Sequence, residues 1–534
     1  MAPDALVAIP EAVEVSWDTE LCLELVRTLL FRNASTQDLV SLMAICGFDT
    51  TRDYVAIRAR PLAGHSLESL AHELRAAESF RRRAGLIAAI DGELVGFGTL
   101  PRQEVRAGVV GIGLPGTPER LGDSFRVASR VLDVAQAYDY MGLQSLETLG
   151  LLLTVVADAD VGETLQWRYL VRTHDAGSLP ELMTTLRTYL ACGMRLDPTA
   201  SAMSLHPNTV RNRIAKFQEA TGARLRDRMV AIEVWWALER TAVTGLPTDD
   251  PAAALPGLGS RRSLTFRRPV RDNSARDTAK RRAEFLRGLL RGTLTPAERC
   301  REIITRGIDD RRPYRALRAR PAPGRSIEDL ARAHGFTFGR DPRGGLGAVV
   351  HGDLVGFSVE PSRAALPGIS GVGPPRPLHA LSESFRMASR ALGIGESRNW
   401  SGLCEFERLG LVCAISADAV VGDALYRRYL APLGDNEFAD DVLNTLKVYL
   451  REGLHINRTA ERLFVHPNTI RYRIRRFEEL ANVQLRRTSV ETFQLLGALA
   501  YSAGFSSPGT IATTRHQPAS APASFTGRQL TSNP

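Results

Sequence analysis

The chain has almost no lysine. Of its 534 residues only Lys216, Lys280 and Lys447 are lysine, so nearly all the positive charge is arginine. A GC-rich genome explains that bias without invoking function. Arginine is also the side chain that grips phosphates and guanine edges with two parallel hydrogen bonds. Cysteine is sparse. Cys22, Cys46, Cys192, Cys300, Cys404 and Cys413 form no CxxC pair and no zinc spacing with histidine,. A metal site and a disulfide framework are thereby excluded, and all six read as reduced, buried thiols of a cytosolic protein. No apolar run reaches the length of a membrane span, and no basic, apolar leader opens the chain,. The expectation is a protein that is neither secreted nor membrane-spanning.

What is present is repetition. His206-Pro207-Asn208-Thr209-Val210-Arg211-Asn212-Arg213-Ile214 returns 260 residues later as His466-Pro467-Asn468-Thr469-Ile470-Arg471-Tyr472-Arg473-Ile474. At the same spacing Arg58-Ala59-Arg60-Pro61 answers Arg318-Ala319-Arg320-Pro321, and Leu94-Val95-Gly96-Phe97 answers Leu354-Val355-Gly356-Phe357. Gly111 and Gly113 answer Gly371 and Gly373, and Ser124-Phe125-Arg126 answers Ser384-Phe385-Arg386. No gap is needed from about residue 24 to about 498. That period is too long for a solenoid and has the size of one or two domains, so the chain is a tandem duplication.

Within a repeat, helical spacing over residues 18–46 predicts a helix pair. Tyr54–Ile57 predicts a strand, Ser66–Ala77 a helix, and Gly85–Phe97 a hairpin turning at Asp91-Gly92. Val109–Gly113 is an apolar run ending in glycine, and Arg120–Tyr138 an amphipathic helix. Leu149–Val156 reads equally as strand or helix. Residues 181–240 show helical periodicity alone. The division expected is a helical segment at 15–50, an α/β domain at 51–178 and a helical domain at 181–241. A flexible basic linker follows at 242–278, then a helical segment at 279–310, an α/β domain at 311–437, a helical domain at 440–500 and a disordered tail at 501–534.

The helical unit has the layout of a DNA reader. Gly193 and Gly453 end its first helix. Asp197 and Asn457 are placed to cap the second, where Ala200, Met203, Ala460 and Leu463 point inward. The third begins at His206-Pro207 or His466-Pro467 and buries Val210, Ile214 and Phe217, or Ile470, Ile474 and Phe477. At 100° per residue its opposite face carries Asn208, Asn212, Ala215 and Lys216 in one copy. In the other it carries Asn468, Tyr472, Arg475 and Arg476. Thr209, Arg211, Thr469 and Arg471 flank it. Amides, hydroxyls and cations without carboxylates suit base edges and phosphates in a major groove. The DNA-binding candidates are therefore Asn208, Thr209, Arg211, Asn212, Lys216, Asn468, Thr469, Arg471, Tyr472, Arg475 and Arg476. Arg213 and Arg473 sit nearer the core edge, where a structural ion pair and a phosphate contact are equally open.

These motifs resemble the C-terminal helix-turn-helix of PucR/CdaR-type transcriptional regulators. Upstream, Val110-Gly111-Ile112-Gly113 and Ser124-Phe125-Arg126-Val127-Ala128-Ser129-Arg130 resemble that family's degenerate GGDEF-like sensory domain. The resemblance implies an α+β fold class, with two tandem repeats of a GGDEF-like α/β domain and an all-α helix-turn-helix domain. It implies a cytoplasmic bacterial regulator that is not an enzyme, with double-stranded DNA and an unknown small-molecule effector as partners. Homo-oligomerisation is expected; a cofactor, a metal and a membrane are not. Family members carry one C-terminal signature, so two copies are a departure. Ser204 and Asn212 stand where the second copy has Phe464 and Tyr472, so the first copy is expected to bind a different half-site or to bind DNA weakly, and the second, with Arg471, Arg473, Arg475 and Arg476, is the stronger candidate for affinity. The alternative is a ligand-binding sensor or scaffold that acts through protein partners without touching DNA.

Three other signals are discounted. Gly111–Gly116 matches GxGxxG, but Pro115 interrupts it and no helix follows directly. No GG-D/E-E-F string or carboxylate cluster supports a cyclase. Ser124 and Ser384 lack a nearby histidine and read as helix caps, and His206 and His466 read as helix-start residues rather than ligands or bases.

Overall fold

The computed structural model describes residues 19–31, 36–76, 84–99, 104–171, 179–247, 275–336, 345–362, 365–485 and 489–502. The first repeat runs α1 (Thr19–Phe31), α2 (Thr36–Ile45), β1 (Val55–Pro61), α3 (Leu67–Ala76), β2 (Gly85–Ile90), β3 (Glu93–Gly98) and β4 (Gly108–Ile112). It continues with α4 (Leu121–Ala137), β5 (Gly142–Gln144), α5 (Leu146–Leu149), α6 (Leu152–Ala157) and α7 (Ala159–Tyr169). The helical module is α8 (Leu179–Ala191), α9 (Leu196–Ala202), α10 (Pro207–Thr221) and α11 (Arg228–Thr244).

The second repeat follows the same plan. It comprises α12 (Ala275–Arg291), α13 (Pro296–Arg306), β6 (Tyr314–Pro321), α14 (Ile327–Ala333), β7 (Leu346–Val350), β8 (Asp353–Ser358), β9 (Gly368–Arg376), α15 (Leu381–Ser397) and β10 (Gly402–Glu405). Then come α16 (Phe406–Ala417), α17 (Ala419–Tyr429), α18 (Glu437–Arg451), α19 (Ile456–Leu463), α20 (Pro467–Ala481) and α21 (Ser489–Tyr501). The architecture is mixed α+β. Most of the expected linker and nearly all of the expected tail lie outside the described residues.

Each repeat holds one five-stranded sheet, ordered β2-β3-β1-β4-β5 and β7-β8-β6-β9-β10. Among the described residues only β4–β5 and β9–β10 pair in parallel; the other pairs are antiparallel. The β2–β3 turn places Asp91 at φ 51° and Gly92 at φ 79°, both left-handed, as a two-residue hairpin with this twist requires,. Glu93, just after the turn, receives Arg58 (2.5 Å) and Arg60 from the neighbouring strand. Asp353 receives Arg318 and Arg320 at 2.6 Å in the second copy. The repeated Arg-Ala-Arg-Pro string is thus a cross-strand ion cluster.

The Gly-x-Gly runs are packing devices. A Cβ on Gly111 would lie 2.2 Å from the Ala128 carbonyl, and one on Gly113 would lie 2.0 Å from that of Ser124. Without those side chains α4 lies directly on β4. Ser124 is buried. Its Oγ accepts from the Ala56 amide at 2.9 Å and donates to the Leu114 carbonyl at 2.7 Å. Ser384 makes the same pair of bonds with Ala316 and Pro374. The expected capping role is therefore corrected: Arg120 and Ala380 hold the cap positions, and each serine ties helix to sheet from inside the first turn.

Other expectations change. Leu149–Val156 resolves as helix, divided between α5 and α6. Gly150, at φ 52°, separates those helices. Cys46, Cys404 and Cys413 are buried, but Cys192 is half-buried and Cys300 exposed, because Cys300 lies on the outer face of an amphipathic helix. Among the described residues no single helix is long and apolar enough to cross a membrane; the bent pair Phe406–Ala417 and Ala419–Leu433 meets the length and composition criteria together, and much of it is buried in core.

The described residues form two compact units. One contains 19–247 and 410–502, the other 275–409. Both helical modules therefore belong to the same unit. Within it, the core of the first sheet gathers Leu25, Leu29, Met43, Tyr54 and Phe97 on one face and Ile57, Leu70, Leu74 and Val110 on the other. The second unit repeats this with Phe285, Leu289, Tyr314 and Phe357, then Leu317, Leu330 and Val372.

Candidate nucleic-acid interface

The candidate reading helices are α10 and α20. Proline at the first position presets φ and has no amide to waste,. His206 and His466 cap them. In each, Nδ1 accepts from the amide two residues on, Asn208 or Asn468, at 3.2 Å. The imidazole proton, when the ring is neutral, then resides on Nε2. Left-handed Gly222 and Asn482 close the C-termini,.

One stripe of each helix is buried: Val210, Ile214 and Phe217, or Ile470, Ile474 and Phe477. Asn208, Arg211, Asn212 and Lys216 are exposed, as are Asn468, Arg471, Tyr472, Arg475 and Arg476. Thr209 and Thr469 are half-buried at the rim. Every candidate thus lies on or beside one outward face. Arg211 donates to the Asn208 carboxamide oxygen at 2.5 Å, and Arg471 to that of Asn468 at 2.6 Å. That i, i+3 pair must open if the asparagine is to grip a base with both its oxygen and its nitrogen. Arg476 lies 3.3 Å from Glu479, beyond the second turn.

Arg213 and Arg473 turn the other way. Arg213 reaches Glu181 at 2.5 Å and Thr185 Oγ1 at 3.1 Å on α8. Arg473 reaches Asp441 and Thr445 Oγ1 on α18, the latter at 3.2 Å. Of the two readings left open, the structure shows the ion pair. The second helix also departs from expectation. α9 and α19 start two residues early, so Arg195 and His455 occupy the cap positions with no side-chain hydrogen bond. Asp197 falls in the first turn. Ala200 and Ala460 are buried, whereas Met203 and Leu463 are only half-buried.

A fourth helix completes each module, and sequence reasoning gave it no role. α11 and α21 pack against each other, with the Trp235 and Phe493 rings 5.6 Å apart. The two copies touch elsewhere in this unit. Asp418, the cap of α17, receives Arg130 of α4 at 2.5 Å and Thr154 of α6 at 3.1 Å. Arg428 donates to the Glu147 carbonyl at 3.3 Å.

In the first copy Tyr169 donates to Glu233 at 2.5 Å; in the second Tyr429 donates to Gln494 at 2.6 Å. These partners are 261 residues apart, as are Arg240 over Gly162 and Tyr501 over Gly422. The ungapped repeat is therefore corrected: one residue is inserted in the second copy before its last helix. Glu233 is buried, and loss of water pushes its carboxyl above the usual range against the pull of Arg168 and Tyr169.

The PucR C-terminal helix-turn-helix domain matches residues 182–239 and 442–500, and the matched spans show the same one-residue shift. Both helical modules are helix-turn-helix domains of this class. An uncharacterized protein of Mycobacterium tuberculosis is 28% identical over 228 residues, 37% of this chain and 52% of that protein. The carbohydrate diacid regulator of Escherichia coli is 27% identical over 109 residues, 20% of this chain and 28% of that protein. The match spans about half the length of the mycobacterial relatives. A regulator of polyketide synthase expression from Bifidobacterium adolescentis, known as a crystal structure, is 20% identical and covers 42% of this chain and 94% of its own. The TM-score is 0.21. The chain thus carries the PucR C-terminal helix-turn-helix domain twice and is similar over part of its length to the carbohydrate diacid regulator.

Proposed function

We propose that the chain is a cytoplasmic bacterial transcription regulator that binds duplex DNA through α10 and α20. The observation that carries this is the outward face of both helices: exposed amides and cations, with no carboxylate in the first two turns. A phosphate-lined groove selects such a surface, and bidentate arginine contacts discriminate bases within it. In this reading the chain is not an enzyme.

The two sheet modules would serve as GGDEF-like sensory or dimerisation elements for a small-molecule effector. Support comes from their common strand order and the matching serine ties. Joining two readers in one chain raises the effective concentration for the second contact. Since the outward faces differ, the operator has unequal half-sites, and a self-associating chain would present four readers.

The test is titration of the full chain against the tightest duplex recovered from a randomised library, at several salt concentrations. Arg471→Ala with Arg475→Ala should lose about 1–3 kcal/mol per contact. Equal affinity for wild type and variant, or binding without a salt slope, would defeat the proposal and favour a scaffold acting through protein partners.

A further inference from the structure

The second helix-turn-helix carries an aromatic side chain that its own fold does not use. Phe464 closes α19 with φ 54°, the left-handed region that bulky side chains avoid,. Ser204 has φ 52° at the matching place, so the turn imposes this geometry whatever the residue. Glycine would meet it without steric cost. The Phe464 ring recovers nothing by burial, since the residue is 96% exposed. A strained backbone and a bare phenyl group are both unfavourable to the isolated chain, and such residues gather at functional surfaces.

The surroundings identify the occupant. Phe464 lies two residues before the cap of α20, so the turn leads directly into the helix presenting Asn468, Arg471, Arg475 and Arg476. Tyr472 on that helix is 62% exposed, its ring edge-on to Phe438 at 6.1 Å. In the first copy the sequence has Ser178, Ser204 and Asn212 at the positions of Phe438, Phe464 and Tyr472. Three aromatics on one module thus answer three small polar residues on the other. An apolar ring beside exposed guanidiniums matches a polyanion that also offers apolar surface. Duplex DNA does so through thymine methyl groups and sugar faces.

We propose that Phe464 is a DNA-contacting residue and that, with Tyr472, it makes the second module the tight reader and directs it to a thymine-bearing half-site. The first module, with Ser204 and Asn212, is the weak reader. This inference rests on the DNA-binding reading above.

The experiment uses the full chain and the same selected duplex, fluorescently labelled. Phe464→Ser, the first copy's own residue, should weaken binding about tenfold, hold or raise the melting temperature and leave the salt slope unchanged. Phe464→Gly should do the same with a clearer rise in melting temperature, which guards against a misfolded serine variant. Ser204→Phe should tighten binding several-fold. Replacing thymine by uracil in the bound half-site should weaken wild type and leave Phe464→Ser unaffected. If Phe464→Ser and Phe464→Gly bind like wild type while Arg471→Ala weakens, the inference fails and the ring serves a protein partner. If wild type shows no salt-dependent duplex binding, the DNA reading fails first.

Discussion

The two sheet modules share their scaffolding and differ in their cores. Both close a five-stranded sheet of the same order, neutralise a hairpin carboxylate with two arginines and tie helix to sheet through a serine. Yet where the first buries Leu74 and Val110, the second buries His334 and Ser370, joined Nε2 to Oγ at 2.8 Å. The helical modules show the same split. Caps, turns and ion pairs are kept, while Glu233 answers Gln494 and exposed serine and asparagine answer exposed aromatics. Backbone contacts leave no room for a substitute. Side chains facing a cavity or solvent do.

The harshest test of this contrast is to add a methyl group where the copies agree. Gly113→Ala and Gly373→Ala each drive a Cβ to 2.0 Å from a helix carbonyl. Each should cost on the order of 3 kcal/mol in thermal unfolding, by equal amounts. A loss under 1 kcal/mol would show that helix and sheet are less tightly apposed than drawn.

Next is His334, whose pKa burial pushes down to about 4. The unfolded chain binds the proton more tightly, so stability falls as pH drops from about 6.5 through about 4, by about 3 kcal/mol in all. His334→Leu with Ser370→Val, which restores the first copy's pair, should abolish that slope. Persistence of the slope would assign it to other groups.

Glu233 has the opposite sign. Its raised pKa means that the folded chain holds the proton more tightly, so stability falls as pH rises above the ordinary carboxylate range,. Glu233→Gln should stabilise the chain near neutrality by on the order of 1 kcal/mol and do nothing in acid. Gln494→Glu should reverse this.

The smallest effect concerns the half-exposed pairs. Arg213→Ala and Arg473→Ala should each cost up to about 1 kcal/mol of module stability. The salt slope of DNA binding should stay unchanged, whereas a shallower slope would make these arginines phosphate contacts after all.

Legibility followed range along the chain. Helix starts at His206 and His466, buried stripes at Val210 and Ile470, and the Asp91-Gly92 hairpin depend on residues a few positions apart, and all could be read directly. The serine ties could not, because Ser124 bonds to Ala56, 68 residues away. The same holds for β5, whose three residues carry no alternation to detect, and for Leu149–Val156, apolar whichever structure it adopts. Phe464 was noticed only as a difference between copies; its exposure belongs to the folded turn.

Duplication, the helix-turn-helix signature and the polar face of each third helix were written in residue order, because periodicity and capping are local. Strand order, the pairing of α11 with α21 and the strain at Phe464 required the folded chain. The first two arise where segments far apart along the chain compete for the same volume, and only close packing settles which atoms meet; the strain belongs to a turn whose backbone is fixed whatever residue fills it.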